Sequence, residues 1–202
     1  MTHRVKTPVV LRDGTHALIR PVLPTDAPAL VEGFAALSPE SRASRFLAPL
    51  SRLSPEQVAY FTEVDGKDHV ALGAAVPDPR HPHGERGLGV ARWVRLAEVA
   101  DLAEIAVTVR DDAQGLGVGS LLLEALALDA WDHGVRRFLA TMHEDNARMR
   151  ALLRRVGDEE RREVEAGGVV TIVYRVRPPA PAPRQPGPPP RPRRSEPPRG
   201  AL

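Results

Sequence analysis

The chain of 202 residues contains no cysteine. That absence excludes disulfides, thiolate metal sites and a cysteine nucleophile, and it suits a reducing compartment. Long apolar runs are missing too, and none approaches the length of a membrane span. The opening stretch MTHRVKTPVVLRDG lacks the apolar centre of a signal peptide, so a soluble, cytoplasmic protein with no membrane partner is expected. Tyrosine is scarce, with only Tyr60 and Tyr174, a shortage that bears on catalysis below. The body also lacks basic charge. Of a formal net charge of +2, the five arginines and one glutamate after Arg177 supply +4, which leaves −2 for residues 1–177. Nucleic-acid binding needs a basic excess, so no nucleic-acid partner is expected.

The same tail, PPAPAPRQPGPPPRPRRSEPPRGAL, holds 11 of the 21 prolines. Residues 178–202 have almost no large apolar side chains to bury and are expected to be disordered, with polyproline II character. Such segments can also be ligands for aromatic-lined grooves, although a solvated extension is the simpler expectation. Residues 1–177 are enough for one domain, and the apolar fraction of 42% supports a globular core.

Strand and helix patterns alternate along that body. Strands are expected at 16–22, 69–76, 87–95, 104–109 and 137–142. Helices are expected at 25–37, from Ser38 onward, at 54–64, 117–134 and 146–157. Ser38 precedes Pro39 as an N-cap, and Ser54 and Gln57 fit a capping box around Pro55. Gly134 and Gly157 end the last two helices. The final stretch RREVEAGGVVTIVYRV reads as a hairpin turned at Gly167–Gly168. Several strands follow one another with no helix between them, so the class is α/β (α+β) with a mainly antiparallel sheet. The unit 104–142, strand–loop–helix–strand, adds one parallel pair with a right-handed crossover.

Within that unit lies EIAVTVRDDAQGLGVGSLLLEAL, a strand that passes through clustered glycines into a helix. The first amides of a helix have no carbonyl partner, and its dipole adds partial positive charge there. Glycines let an anion approach those amides, so a phosphate site is expected at Gln114-Gly115-Leu116-Gly117-Val118-Gly119-Ser120. A Walker A loop would need Lys before Ser120, where Gly119 stands. The Rossmann fingerprint, counted from Gly115, ends on Ser120 instead of glycine, and no second unit of that kind follows.

Gln114, Gly117 and Gly119 do fill the pattern Q/R-x-x-G-x-G/A. With EIAVTV before it and EDNARMRALLRRVG after it, the stretch resembles the GCN5-related N-acetyltransferases, the GNAT superfamily. The element order resembles that family over roughly residues 15–176. LSPESRASRF and AEIAVTV look most like bacterial protein lysine acetyltransferases. The resemblance implies a mixed, mainly antiparallel sheet of six to seven strands, flanked by helices, with one central parallel pair. It implies acetyl-CoA as cosubstrate, with its pyrophosphate on Gln114 to Ser120 and its pantetheine arm on the main chain of Val107 and Val109. Asn146 would contact the cofactor; as a helix N-cap it needs no ligand at all.

An acceptor lysine is mostly protonated near neutral pH, so transfer to it needs a base. By the same resemblance Glu104, opening its strand, would be that base. Alternation would place it with Ala106 and Thr108 on one face, and Ile105, Val107 and Val109 on the other. Glu98 and Asp101 are the fallback carboxylates. A strand N–H between 105 and 109 would stabilise the oxyanion. With no Ser elbow and no cysteine, direct attack in a ternary complex is expected over an acyl-enzyme. Many members of the family place a tyrosine seven residues after the asparagine as the acid for the leaving thiolate. Here that residue is Leu153, and Asp158 replaces the aromatic that often follows Gly157. His81-Pro82-His83 lacks further ligands at suitable spacing, so no metal is expected.

The expected function is acetyl transfer from acetyl-CoA to a primary amine, on a protein or a small molecule. A CoA-binding module without catalysis, and an interaction protein working through the tail, are the competing readings. Oligomeric state is open.

Overall fold

The computed structural model describes residues 6–179 except Pro49 and His83. The expected disordered tail therefore lies outside the described residues, apart from Pro178 and Pro179. Eight strands form one sheet in the order β1-β2-β3-β4-β5-β6-β8-β7. They are β1 (Thr7–Val10), β2 (His16–Pro21), β3 (His69–Pro77), β4 (Glu85–Leu96), β5 (Val99–Val109), β6 (Arg137–His143), β7 (Gly157–Val164) and β8 (Val169–Val176). All pairs are antiparallel except β5 with β6. The mixed, mainly antiparallel class is as the sequence led one to expect, with β1 as an additional strand. A turn at Asp13-Gly14 joins it to β2, with Gly14 at φ 87° and Thr15 N–H donating to Asp13 Oδ1 at 3.0 Å. An Asp-Gly pair between apolar residues is the local signal for this hairpin.

Among the described residues five helices flank the sheet: α1 (Ala27–Ala35), α2 (Pro39–Phe46), α3 (Pro55–Thr62), α4 (Val118–Asp132) and α5 (Ala147–Val156). Their starts follow the local chemistry. Ser38 Oγ accepts from Ser41 N–H at 3.1 Å, so it caps α2. Ser54 and Gln57 exchange both bonds of a capping box, at 3.2 and 2.8 Å, with Pro55 in the first turn. Gly134, at φ 81°, supplies the left-handed residue after α4. Gly157 ends α5 differently from expectation. It is extended (φ −160°) and begins β7 directly. A Cβ there would lie 2.6 Å from Arg175 O, so glycine is required for close strand approach, not for a cap.

Helix α4 covers β3, β4 and β5 on one face, and α1 to α3 lie over the other. Adjacent residues of β4 show the division. Trp93 points into the α4 side, is fully buried, and donates from Nε1 to Asp129 Oδ1 at 2.8 Å. Its burial removes an area worth about 4–6 kcal/mol as an upper bound. Arg92, next in the strand, points the opposite way and is buried beneath α1 and α3.

Candidate acetyl-CoA groove and acceptor pocket

Strand β5 begins at Val99, five residues before the expected start, so Glu104 lies within the strand instead of opening it. This changes the meaning of its position. The parallel ladder joins only Leu102, Ala103 and Glu104 to Arg137, Phe138 and Leu139. Past Glu104, β5 runs on to Val109 paired to β4 alone. Glu104 therefore sits where the two parallel strands part.

The backbone register then decides what faces the opening. Arg110 N–H donates to Leu88 O, at 2.9 Å, and Arg95 N–H donates to Asp68 O across β3, at 2.8 Å. In an antiparallel ladder the bonded residues alternate. Residues 104, 106, 108 and 110 thus use their main chain toward β4. The main chain of Ile105, Val107 and Val109 faces the gap left by β6. Glu104, Ala106 and Thr108 share a face, as alternation requires.

The gap is a groove of about 870 Å³. Nine of the ten residues expected to hold the cofactor line it: Val107, Val109, Gln114, Gly115, Gly117, Val118, Gly119, Ser120 and Asn146. Leu116 does not. Its side chain packs on the core, and its carbonyl accepts from Arg12 N–H at 3.0 Å. Gly115 (φ 81°) and Gly117 (φ 91°) adopt the left-handed region, which turns the loop so that α4 starts at Val118. The first bond of that start is Leu121 N–H to Gly117 O, at 3.1 Å. The amides of Val118, Gly119 and Ser120 precede it and open toward the groove. Gly119 is packed by Val109 and Leu152; a Cβ there would meet Leu152 Cδ1 at 3.2 Å. These features fit a pyrophosphate at this helix end.

Three arginines that sequence reasoning missed also line the groove: Arg12, Arg148 and Arg155. Arg12 reaches the loop from the β1–β2 turn and donates to Gly115 O at 3.2 Å. Arg148 donates to Gln114 Oε1, while Gln114 Nε2 donates to Asp111 Oδ1 at 2.9 Å. Asp111 in turn accepts from Ser38 N–H at 2.6 Å and from Ser41 Oγ, joining the loop to the start of α2. Burial works to raise the Asp111 carboxyl, but the Ser41 and Ser38 bonds prevail and hold it below its ordinary range. Arg148 and Arg155 follow Asn146 on α5 at helical spacing, a signal that was available.

Asn146 caps α5. Its Oδ1 accepts from Met149 N–H at 2.9 Å, and its Nδ2 donates to Ser44 Oγ on α2 at 3.1 Å. Glu104 is exposed in the groove mouth. The fallback carboxylates lie elsewhere. Asp101 is held by Arg137 at 2.7 and 3.1 Å, and neither it nor Glu98 lines the groove. Leu153 is fully buried, Tyr174 is in the core, and Asp158 pairs with Arg177 at 2.7 Å. Tyr60 is exposed on α3, with its ring 4.9 Å from His69. His81 pairs with Glu32 at 2.9 Å, and His83 lies outside the described residues. Among the described residues no cluster of His, Asp and Glu suits a metal ion, and no helix is long and apolar enough to cross a membrane.

A second cavity, of about 450 Å³, lies between the sheet and helices α1 to α3. It shares Arg45, Phe46, Ala106 and Thr108 with the groove. The two spaces therefore meet on the face of β5 that carries Glu104.

A parallel pair that parts at a carboxylate, with a glycine turn and open helix amides beside the gap, defines the acyl-CoA-dependent transferase class to which the GNAT fold belongs. The Acetyltransferase (GNAT) domain family matches residues 16–159, and the chain belongs to that family, whose members take their acetyl group from acetyl-CoA. Its relatives include Acetyltransferase Pat of Mycolicibacterium smegmatis, 36% identical over 173 residues. That match covers 82% of this chain and 48% of the relative, so the chain spans about half the length of the mycobacterial protein. Acetyltransferase PA5475 of Pseudomonas aeruginosa is 34% identical over 143 residues, 70% of this chain and 74% of that one. Among solved structures, the GNAT domain of S. lividans PAT is 36% identical with a TM-score of 0.73 and covers 85% of this chain and 97% of its own.

Proposed function

We propose that the chain transfers an acetyl group from acetyl-CoA to a primary amine by direct attack in a ternary complex. The observation that carries this reading is the parting of β5 from β6 at Glu104, with the cradle amides at one end of the gap and the acceptor pocket at the other. Gln114 to Ser120, apart from the Leu116 side chain, would hold the pyrophosphate, with Arg12 and Arg148 beside it. The main chain of Val107 and Val109 would bond the pantetheine arm, and a strand N–H between 105 and 109 the carbonyl oxygen.

Glu104 would take a proton from the acceptor ammonium, directly or through water. The freed amine attacks the thioester carbonyl and forms the C–N bond, the C–S bond breaks, the thiolate leaves, and the nitrogen gives up its extra proton to water. No tyrosine reaches this place, so the thiolate leaves as such or takes a proton from water. The likeness of LSPESRASRF and AEIAVTV to bacterial protein lysine acetyltransferases supports a protein lysine as acceptor. The absence of membrane-spanning helices among the described residues and of cysteine supports a cytoplasmic location.

Two measurements test the reading. Titration calorimetry with acetyl-CoA should give saturable heat; none at tens of micromolar would sink it. Glu104→Gln should retain that binding and lose turnover. The second reading, a CoA-binding module without catalysis, draws on Leu153 at the position of the usual acid. Binding without turnover on any amine would favour it.

A further inference from the structure

The proposed acceptor pocket contains a charge that no carboxylate among the described residues neutralises. Arg92 is only 5% exposed, and its side chain borders the cavity. Its polar contacts are two long ones, Nη2 to Phe61 O and Nη1 to His69 Nε2, each at 3.4 Å. The guanidinium lies 4.3 Å from the Phe61 ring centroid. Among the described residues no carboxylate pairs with it, and the largest charge effect on it comes from another cation, Arg45, with Tyr60 acting in the opposite sense. Arg45 also borders the cavity; among the described residues it makes no ion pair at contact distance, and the Glu104 charge acts on it from farther off.

The other end of the same cavity shows how this fold treats an arginine that is only structural. Arg20 is clamped by Asp26, at 2.7 and 2.8 Å, and by Glu85. A buried ion costs several kcal/mol unless it is paired, and Arg20 is paired while Arg92 is not. Burial, then repulsion from Arg45, pushes the Arg92 guanidinium down to about 9, which leaves it cationic at neutral pH. A guanidinium offers five donors in a fork that matches a carboxylate, and most of these are unused.

Position adds a second argument. Arg92 stands directly across the ladder from Ala106, and Val94, two residues on, stands across from Glu104. All four share one face of the sheet. Arg92 is therefore a cross-strand diagonal neighbour of Glu104, at the junction of pocket and groove. Much of the remaining wall is apolar, with Leu30, Phe34, Phe46, Phe61 and Val90, while Arg45 and the Arg20–Asp26–Glu85 cluster are among its other charged groups. A largely apolar cavity of small-molecule size with a few charged groups, one of them buried and unpaired among the described residues, is the usual form of a ligand site.

We propose that this pocket binds a carboxylate of a reactant, with Arg92 as its forked partner and Arg45 beside it. The proposal names a substrate class for the transfer reaction above and rests on that reading for its catalytic consequence. Two sources share the chemistry. The carboxylate belongs either to the acceptor, as in an ω-amino acid, or to the far end of a dicarboxylic acyl group on the CoA thioester. Arg92 distinguishes them only by which reactant brings the charge.

The test has a binding part that needs no CoA and two kinetic arms, all on the full chain. In calorimetry, 6-acetamidohexanoate should bind at least about tenfold more tightly than its neutral primary amide. Arg92→Met should erase that difference while changing acetyl-CoA affinity less than about threefold. If Arg92→Met does not fold, Arg92→Lys replaces it, retaining the charge without the fork and weakening the acid severalfold. Equal binding of acid and amide, or a preference that survives both variants, overturns the proposal. In the kinetic arms, 6-aminohexanoate is compared with hexylamine using acetyl-CoA, and succinyl-CoA with butyryl-CoA using hexylamine. About a tenfold kcat/KM preference for the acid in the first arm assigns the carboxylate to the acceptor, and in the second to the acyl group. No preference in either arm overturns it. Absence of acetyl-CoA binding would instead sink the transfer reading, while leaving the acid-over-amide difference in place.

Discussion

The groove and the acceptor pocket meet on one face of β5, yet they handle positive charge in opposite ways. In the groove, apart from the shared Arg45, the arginines are at the surface and have partners: Arg12 with Gly115 O, Arg148 with Gln114, and Arg155 with Glu124 at 2.7 Å. Each can exchange a modest contact for a phosphate at little cost, because its charge stays solvated. In the pocket, Arg92 is buried with no counter-ion among the described residues. Its desolvation has already been incurred in the folded chain, so an incoming anion meets a prepared partner. The groove is thus suited to a long, solvated, mobile ligand. The pocket is suited to a small group that must be placed to within an ångström of Glu104.

The sharpest way to separate the regions is to remove the group proposed to act between them. Glu104→Gln should lower kcat by about 10²- to 10⁴-fold, the range expected for a lost general base. Its affinity for acetyl-CoA should match that of the parent, since the amide is isosteric and the residue lies outside the cradle. Turnover within threefold of the parent would remove Glu104 from this role and leave the groove reading untouched.

A smaller effect should be confined to the groove. Gly117 sits at φ 91°, and a Cβ would lie 3.5 Å from Arg12 Cγ, an ordinary contact. The penalty for Gly117→Ala is therefore conformational, about 1–2 kcal/mol, and it acts on the turn that aims the α4 amides. Acetyl-CoA should bind about tenfold more weakly, while the acid-over-amide preference of the pocket remains. If that preference fell in parallel, the two regions would not be separable.

Why one region was legible in the sequence and the other was not follows from how each is assembled. The cradle and the strand before it occupy one contiguous stretch, 104–120, and the glycine spacing is fixed by backbone geometry that few alternatives satisfy. Ser54-Pro55-Gln57 was legible for the same reason, since a capping box is complete within four residues. The pocket combines Phe34 of α1, Arg45 of α2, Phe61 of α3 and Arg92 of β4. In sequence, Arg92 reads as one charge in GLGVARWVR, and nothing local says that its face of the strand is buried. Trp93 beside it supplies the apolar signal, and it points the other way. The extra length of β5 was also hidden. VADLAEIAV carries Asp101 and Glu104 where a strand pattern would favour apolar residues, and pairing with β4 and, at Leu102 to Glu104, with β6 holds the segment extended.

Asn146 tests whether the regions communicate. It caps α5 on the groove side and reaches Ser44 on α2. Asn146→Ala should cost about 1 kcal/mol of stability through the lost cap. Asn146→Asp keeps the cap but gives up the donor to Ser44 and adds negative charge beside the proposed pyrophosphate. It should melt close to the parent temperature while binding acetyl-CoA severalfold more weakly. If both variants lose stability and neither loses affinity, Asn146 is a cap alone and makes no contact with the cofactor.

The smallest expected effect lies on the pocket side and concerns pH. His69 stands 3.4 Å from Arg92. Burial, and then the Arg92 charge, hold its imidazole below the usual value of 6.5, with Asp65 acting in the opposite sense. The unfolded chain, with His69 at its ordinary value, then binds more protons than the folded chain once the pH drops through about 6.5. The stability tied to neutral His69 is complete above that value and is lost as the pH falls toward the lower folded value. Carboxylates titrate mostly below this window, so urea midpoints between about pH 7 and pH 5 report on the histidines, and comparison with His69→Gln singles out this one. The parent should lose stability more steeply across that interval than His69→Gln, and the two should run parallel above it. Equal slopes would mean that His69 is freely solvated. The wall beside Arg92 would then be open to water, and the contrast between a solvated groove and a prepared, buried charge would no longer hold.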